Sequence, residues 1–582
     1  MKRWVKVVIV ALVVIIGSGV LLIDVVLEGL IKKKLTSAIQ LKADRIYEYH
    51  FDKIQTKFLS GKVILTGLSI TPRLEVLDSL YKKGIVNKDI YQIELKEFRL
   101  EGLDSWRLIL KNEISIRYIY LDRPNVKVHT NKNASIGPSK NLAQDILAPD
   151  IPWSMIDSFK LENAMFEIYH IEEDTNVAIS FDSLSLSIYS FQIDSSLIAS
   201  GMYFKYDDVA IKVNNVNVHS LPNFNVDLRG LHYDLDDNEI ELSEVSIVPK
   251  KDKYEFMKTQ KYETDWISIK LDKLVLRNIN FDKLHEKGRL ELSEIEIEGP
   301  VFEIYRDKRL PDKPYKFVPL PTRALRALKF PFHADKIKMI NGQVTYIEWE
   351  ENAQQPGVLK IDKMNVEIDN IGSDPEYLMM NDTMMIGGSG RLFKSGDMTF
   401  TLKSSVLDTT DLFEVSGQIS NLECKALNPL LENMAFVRLE EGDINYIKFK
   451  MTADNKASTG VLDIDYTGIK NITFLRNKEE LETKAQKSKS DKKEKKDKKL
   501  LSFLANTYLT NDYNPSVKNY YQGRIRFERS QNKAIFNYLL KSLVTGISSC
   551  VLPNFSDDWK EVKGERKKQV RQEKKQKKKD KK

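Results

Sequence analysis

The feature that most constrains this chain is a stretch it uses twice. Apolar residues stand at Ile93, Leu95, Phe98, Leu100, Leu103, Leu108, Ile114, Ile116, Ile119, Leu121, Val126 and Val128. A shift of 176 lands each on another apolar residue: Ile269, Leu271, Leu274, Leu276, Ile279, Leu284, Leu290, Leu292, Ile295, Ile297, Phe302 and Ile304. Pro124 lands on Pro300. Downstream the shift drifts in order. Residues 157–163 fall on 335–341 at a shift of 178, and 181–184 on 361–364 at 180. Phe204, Lys205, Asp208 and Val209 fall on Phe393, Lys394, Asp397 and Met398 at 189. Residues 93–213 and 269–402 therefore read as two copies of one unit.

Within the unit, apolar residues mostly stand two apart, as in Ile93/Leu95, Ile114/Ile116 and Leu290/Leu292. That is the strand period, which puts them on one face. Steps of three, such as Leu95 to Phe98 and Ile116 to Ile119, fit bulges or tight bends. The residues between are Glu, Lys, Asp, Ser and Asn, so the other face is wet. The expected fold is mostly β: an elongated, curled antiparallel sheet with one oily and one charged face. An oily face needs a cover. Helical stretches are few and short: 74–84, 322–329, 427–434 and one near the C-terminus. Either the sheet closes on itself as a sandwich, or it curls into a trough that holds something else.

Before the first copy, a basic start (Met1-Lys-Arg-Trp) leads into 7–23, a run of 17 residues without charge. That length suits a membrane span, and the preceding positive charge predicts a cytoplasmic N-terminus. A cleaved signal peptide is the rival, with Gly17-Ser-Gly19 as its small residues. The uncleaved anchor is preferred because the apolar run outlasts a usual signal. The expected organisation is an anchor at 1–23, a juxtamembrane helical segment at 24–57, and the first copy with its connector at 58–268. The second copy spans 269–402, and a further β region 403–475. A Lys-rich insert (476–499), a last strand with an amphipathic helix (500–555) and a basic tail (556–582) complete the chain.

The net charge of +7 hides a division. Segment 484–499 carries +6 and 560–582 carries +9, which leaves −8 for the rest. A mildly acidic body argues against nucleic acid as a partner. The two basic segments either touch anionic lipid headgroups or keep an oily protein soluble. Cys424 and Cys550 define no disulfide framework. The seven His residues are dispersed, with no metal-ligand spacing. Gly387-Gly-Ser-Gly390 is followed by Arg391, so it is no nucleophile elbow, and it reads as a strand turn. Asp463 and Asp465 alternate with Leu462 and Ile464, as on the wet face of a strand. No catalytic residue, metal or cofactor is expected.

An N-terminal anchor, a pair of strands around Gly61-Lys-Val-Ile-Leu-Thr-Gly67, and hundreds of residues of alternation resemble the AsmA-like proteins of Gram-negative envelopes. The strongest local likeness is 415–430 (VSGQISNLECKALNPL), followed by Gly442-Asp-Ile-Asn445 and 460–466. Residues 523–529 and 536–546 are similar to the end of an uncharacterised branch of that family. The Lys-rich insert and tail depart from the family pattern. The resemblance implies a long repeating β-groove, anchored in the inner membrane, with its body in the periplasm. It implies that membrane phospholipids are the partners, with envelope proteins of either membrane as further ones. Ile93, Leu95, Phe98, Leu100, Ile114, Ile116, Ile269, Leu271, Leu274, Leu276, Leu290, Leu292, Ile295, Ile297, Phe302 and Ile304 would then face lipid. Ile535, Phe536, Leu539 and Leu543 of the last helix would lie on a membrane surface. The function expected is holding acyl chains for transport between membranes. The alternative is an assembly factor that pairs client strands at its sheet edge.

Overall fold

A computed structural model describes residues 47–551, apart from 58–59, 83–88, 105–106, 108–109, 112, 131–152, 171–176, 194–204, 313, 435–436, 475–512, 514 and 516–519. The expected anchor, residues 24–46, the Lys-rich insert and the basic tail lie outside the described residues.

The fold is mostly β, with 24 described strands in mixed parallel and antiparallel sheet. The chain divides into two compact units, residues 1–250 with 273–275, and 251–272 with 276–582.

In unit one, β1 (Tyr47–His50) and β2 (Lys53–Lys57) pair antiparallel with β3 (Lys62–Pro72). Residues 47–57 are thus strand, where the sequence reading placed a helix. Tyr47, Tyr49 and Phe51 alternate with polar residues, and Ile54 is 2% exposed, so pairing decides this segment. Next come helix α1 (Leu74–Lys82) and strand β4 (Asp89–Glu101). Strands β5 (Ile114–Asp122) and β6 (Asn125–Thr130) form one long strand bent at Arg123-Pro124, antiparallel to β4. Strand β7 (Ser154–His170) then runs parallel to both, from Ile114↔Ser154 to Thr130↔His170. Strands β8 (Val177–Ile193), β9 (Asp208–Val218), β10 (Phe224–Asp234), β11 (Glu239–Leu242) and β12 (Glu244–Pro249) follow antiparallel.

The second copy repeats this wiring, and its strands belong to unit two except for residues 273–275 of β14. Strands β13 (Asp265–Leu271), β14 (Lys273–Arg277), β15 (Leu290–Glu298) and β16 (Val301–Asp307) precede β17 (Phe332–Trp349), and β17 runs parallel to β15 and β16. Strands β18 (Gly357–Gly372), β19 (Thr383–Leu392), β20 (Gly396–Ser405), β21 (Phe413–Glu423), β22 (Val437–Ala453), β23 (Ala457–Phe474) and β24 (Gly523–Glu528) continue antiparallel. The parallel pairs correct the antiparallel meander expected from sequence. A parallel neighbour needs a long crossover, and 131–153 and 308–331 are that connection in the two copies.

Two further readings change. The pairing of β8 with β9 corresponds to that of β18 with β19, so matching Asp208-Val209 to Asp397-Met398 in β20 is not a structural equivalence. Gly387 to Gly390 lie inside β19 and not in a turn. A Cβ at Gly388 would sit 2.5 Å from the Phe400 ring, so glycine leaves room for that ring.

Left-handed residues line up across the strands beside the steps of three, although Leu95 to Phe98 and Ile116 to Ile119 themselves hold none. Arg123, Asn163 and Ser183 hold positive φ at the same level of neighbouring strands, and so do Gly299, Asn341 and Lys363 at shifts of 176, 178 and 180. A second line recurs in the same way, with Gly102 and Ser190 matched by Asn278 and Asn370. Each line is a crease across the strands. Strict alternation would send the side chains after an odd step to the opposite face. The left-handed residue resets the alternation, as a bulge does. Ile368 and Ile371 straddle the second crease and pack against one cluster, with Leu378, Met384 and Val406.

Six described helices accompany these strands in unit two: α2 (Lys253–Lys258), α3 (Phe281–Lys287), α4 (Pro321–Arg326), α5 (Pro375–Met380), α6 (Asn428–Met434) and α7 (Ile535–Val551). The main core lies between the apolar face of β18–β24 and two covers. One cover is the Cys424–Leu427 turn with α6, and the other is α7. Leu462, Ile525 and Met451 of the sheet are at most 2% exposed beneath them.

Candidate functional site: an apolar sheet face

In unit one the apolar residues form continuous rows from strand to strand. One row runs Phe98–Leu121–Leu161–Leu186–Ile211. Beside it runs Leu100–Ile119–Phe159–Ile188–Val209. Across the crease, Ile93–Val126–Phe166–Phe181–Val216–Leu228–Val245 makes a third. Most of these side chains are half-buried, shielded by their row neighbours. The described helix of this unit, α1, buries Leu77, but it is no cover of the kind that α6 and α7 make in unit two. Unit two carries equivalent rows, such as Ile337–Ile368–Ile386–Leu402–Val415–Met451. There the far end is covered, as described above.

Ile93, Leu95, Phe98, Leu100, Ile114 and Ile116 stand in these rows or in line with them across the creases, with Leu95 and Ile116 buried and the rest half-buried. In the second copy Ile269 faces Phe302, while Ile295 and Ile297 flank Ile337 and Met339. Ile304 pairs with Tyr346, Leu290 with Phe332, and Leu292, which is buried, with Ala334. Leu271, Leu274 and Leu276 are half-buried, and the fully buried residue among them is Val275. Sequence reasoning missed the largest contributors, Phe159, Phe166 and Phe181 on β7 and β8. Their alternation with Ser and Glu was the available signal.

The last helix is oriented differently from expectation. Ile535, Leu539 and Leu543 pack inward against the unit-two core, with Ile547. Phe536, Leu540 and Val544 face outward. The amphipathic stripe marks the side that covers the sheet.

The opposite face is ionic and internally satisfied. Arg277 bridges Glu294 and Glu296, and Lys338 holds Glu294 at 2.6 Å. Burial and a hydrogen bond to Glu162 push the Tyr120 phenol up to about 12. That phenol keeps its proton at neutral pH. The best polar constellation is in unit two: Lys283 Nζ is 2.6 Å from Glu291 and 3.2 Å from the Tyr377 hydroxyl, and His333 stacks on Tyr377 at 4.0 Å. The Lys and Glu neutralise one another, and the pair holds the Tyr377 hydroxyl beside it. Carboxylates of Asp208, Asp234 and Asp236 gather where β9 and β10 meet, a grouping not visible in the sequence. Both cysteines are free and wholly buried, and burial raises the Cys424 thiol to about 11, so it stays protonated and inert.

Compared with known protein families, the chain matches none, and no curated protein matches it. Among the described residues, no helix is long and apolar enough to cross a membrane.

Proposed function

We propose that this chain is a lipid-holding scaffold of the AsmA-like kind, whose apolar sheet face shelters phospholipid acyl chains. In this reading residues 1–23 anchor it in an inner membrane and the body stands in the periplasm, passing lipid between membranes. The observation that carries it is the set of half-buried apolar rows in unit one, which no described helix covers in the way that α6 and α7 cover unit two. An acyl chain is the natural cover, because each methylene it buries is worth about 0.8 kcal/mol. Phospholipid headgroups would stay in water at the rim. No residue is assigned a covalent role.

The test is native mass spectrometry with lipid extraction on the detergent-purified full chain. Stoichiometric phospholipid is expected, and it should be lost when Phe166 and Leu186 are replaced by Asp. A Ser187→Asp control on the charged face should keep it. A folded wild-type protein without lipid would sink the reading. The strand-pairing alternative would then lead, since β2 pairs with β3 and with no other described strand. Lys53 and Lys57 on that strand weigh against it, as charges that discourage edge pairing.

A further inference from the structure

We propose that the strand ends of unit two form a membrane-docking rim, where the protein meets a lipid bilayer. The proposal goes beyond the acyl-holding reading above and adds where the chain meets a bilayer.

Three connections lie together at this end: α4 with the turn after it, α5 with the turn after it, and the turn between β20 and β21. Arg326 donates to the carbonyls of Val406 and Asp408, Arg323 to that of Thr409 at 3.2 Å, and Ser405 to the Asp382 carboxylate. Their inner residues, Leu325, Leu378, Met384 and Val406, make a small core. Their outer residues are Leu328, Phe330, Met379, Met380, Leu407 and Leu412, all large, apolar and exposed. Met379 and Met380 are 81% and 75% exposed, beyond what scattered surface residues require. The small core borders Ile386, and Ile386 also packs into the main core. The rim is therefore continuous with the closed core of unit two.

The charges fit a lipid surface. Asp411 is wholly buried between Arg323 and Arg326. Arg289 takes Asp374 and Glu376, and Asp408 accepts from the Thr410 amide and hydroxyl. The carboxylates are thus turned inward or paired. Lys329 stands exposed between Leu328 and Phe330. Apolar tips with a lysine beside them enter a bilayer interface, while the lysine stem reaches back to anionic headgroups.

The experiment uses the full chain with a single added cysteine, Met380→Cys or Leu407→Cys, carrying an environment-sensitive fluorophore. Cys424 and Cys550 are buried and stay unlabelled. The protein is reconstituted into vesicles of phosphatidylcholine and phosphatidylglycerol, with and without bromine on the acyl chains. A blue shift and quenching by brominated lipid are expected at both sites, and neither at Thr399→Cys on an exposed strand position. Unchanged melting temperatures establish that the labelled variants are folded. Spectra at both sites that stay those of water would overturn the proposal. So would a shift that appears only when another protein is added, which would make this a protein interface. Native mass spectrometry with lipid extraction of the same variants purified in detergent, before reconstitution, separates the two readings. Bound lipid without rim contact sinks only the rim, whereas rim contact without bound lipid sinks the acyl-holding face.

Discussion

Gly299 shows at a single residue how the creases are made. Its φ is +57°, and a Cβ there would sit 1.8 Å from a carboxylate oxygen of Asp272. Gly299→Ala should cost more than about 1 kcal/mol, because strain and collision add to each other. Gly387→Ala, with nothing within 4 Å and no positive φ, is the matched control and should be neutral. Thermal melts of the two variants decide this. Asp411 offers a second case, since its removal leaves Arg323 and Arg326 without their buried partner. Asp411→Ala should cost about 3–5 kcal/mol in urea unfolding. A third concerns pH. Burial works against the charged form of Asp307, but hydrogen bonds from the Arg309 side chain and amide outweigh it and hold its pKa below the usual range. A lowered folded pKa adds stability that is complete above the ordinary value of about 3.9 and is lost as the pH falls through the folded value. Asp307→Asn should therefore lower the melting temperature at neutral pH and flatten its fall on acidification.

Among the elements, α7 decides where the apolar face is closed. Gly546 lies against the sheet, where a Cβ would come within 2.8 Å of Ile525. Ser542 meets Ser458 at 2.8 Å, and the Ser549 hydroxyl accepts from the Arg524 amide on the last strand. Gly546→Val should lift the helix, cost about 1–3 kcal/mol by overpacking, and expose the Cys550 thiol to alkylating reagent. Cys424, in the other cover, should stay unreactive. Uniform reactivity of both thiols would mean that the whole core had loosened. Leu462, fully buried under the helix, should cost about 2–5 kcal/mol on truncation to Ala.

At the scale of the whole molecule, the two units differ in how their apolar faces are covered. Hydrogen exchange should therefore be slower in β21–β24, beneath the helical covers, than in β5–β9 of the lipid-free protein. Added phospholipid should slow the second group selectively if acyl chains settle on its rows. Equal protection in the lipid-free protein would mean that something else covers unit one.

Much of this was legible before the coordinates. Strand content follows from the two-residue period, and the duplication from a shift of 176 that keeps Pro124 over Pro300. The odd steps stand beside the creases, because backbone conformation at a strand break leaves its trace in which neighbours are apolar. The residues that turn at the creases were only partly legible. Asn163, Asn278, Asn341, Asn370 and Gly299 suit a left-handed backbone, but Arg123, Ser183 and Lys363 carry no such preference and are held there by their neighbours. Strand direction was not legible, since alternation reads the same in parallel and antiparallel pairs. The crossovers, the strand character of 47–57 and the inward face of α7 were likewise settled by which strands lacked a partner or a cover. The sequence by itself determined a duplicated, two-faced β chain, because local periodicity fixes which side each residue takes. Only the tertiary structure decided which part of the oily face the described helices close, because burial belongs to pairs of distant surfaces.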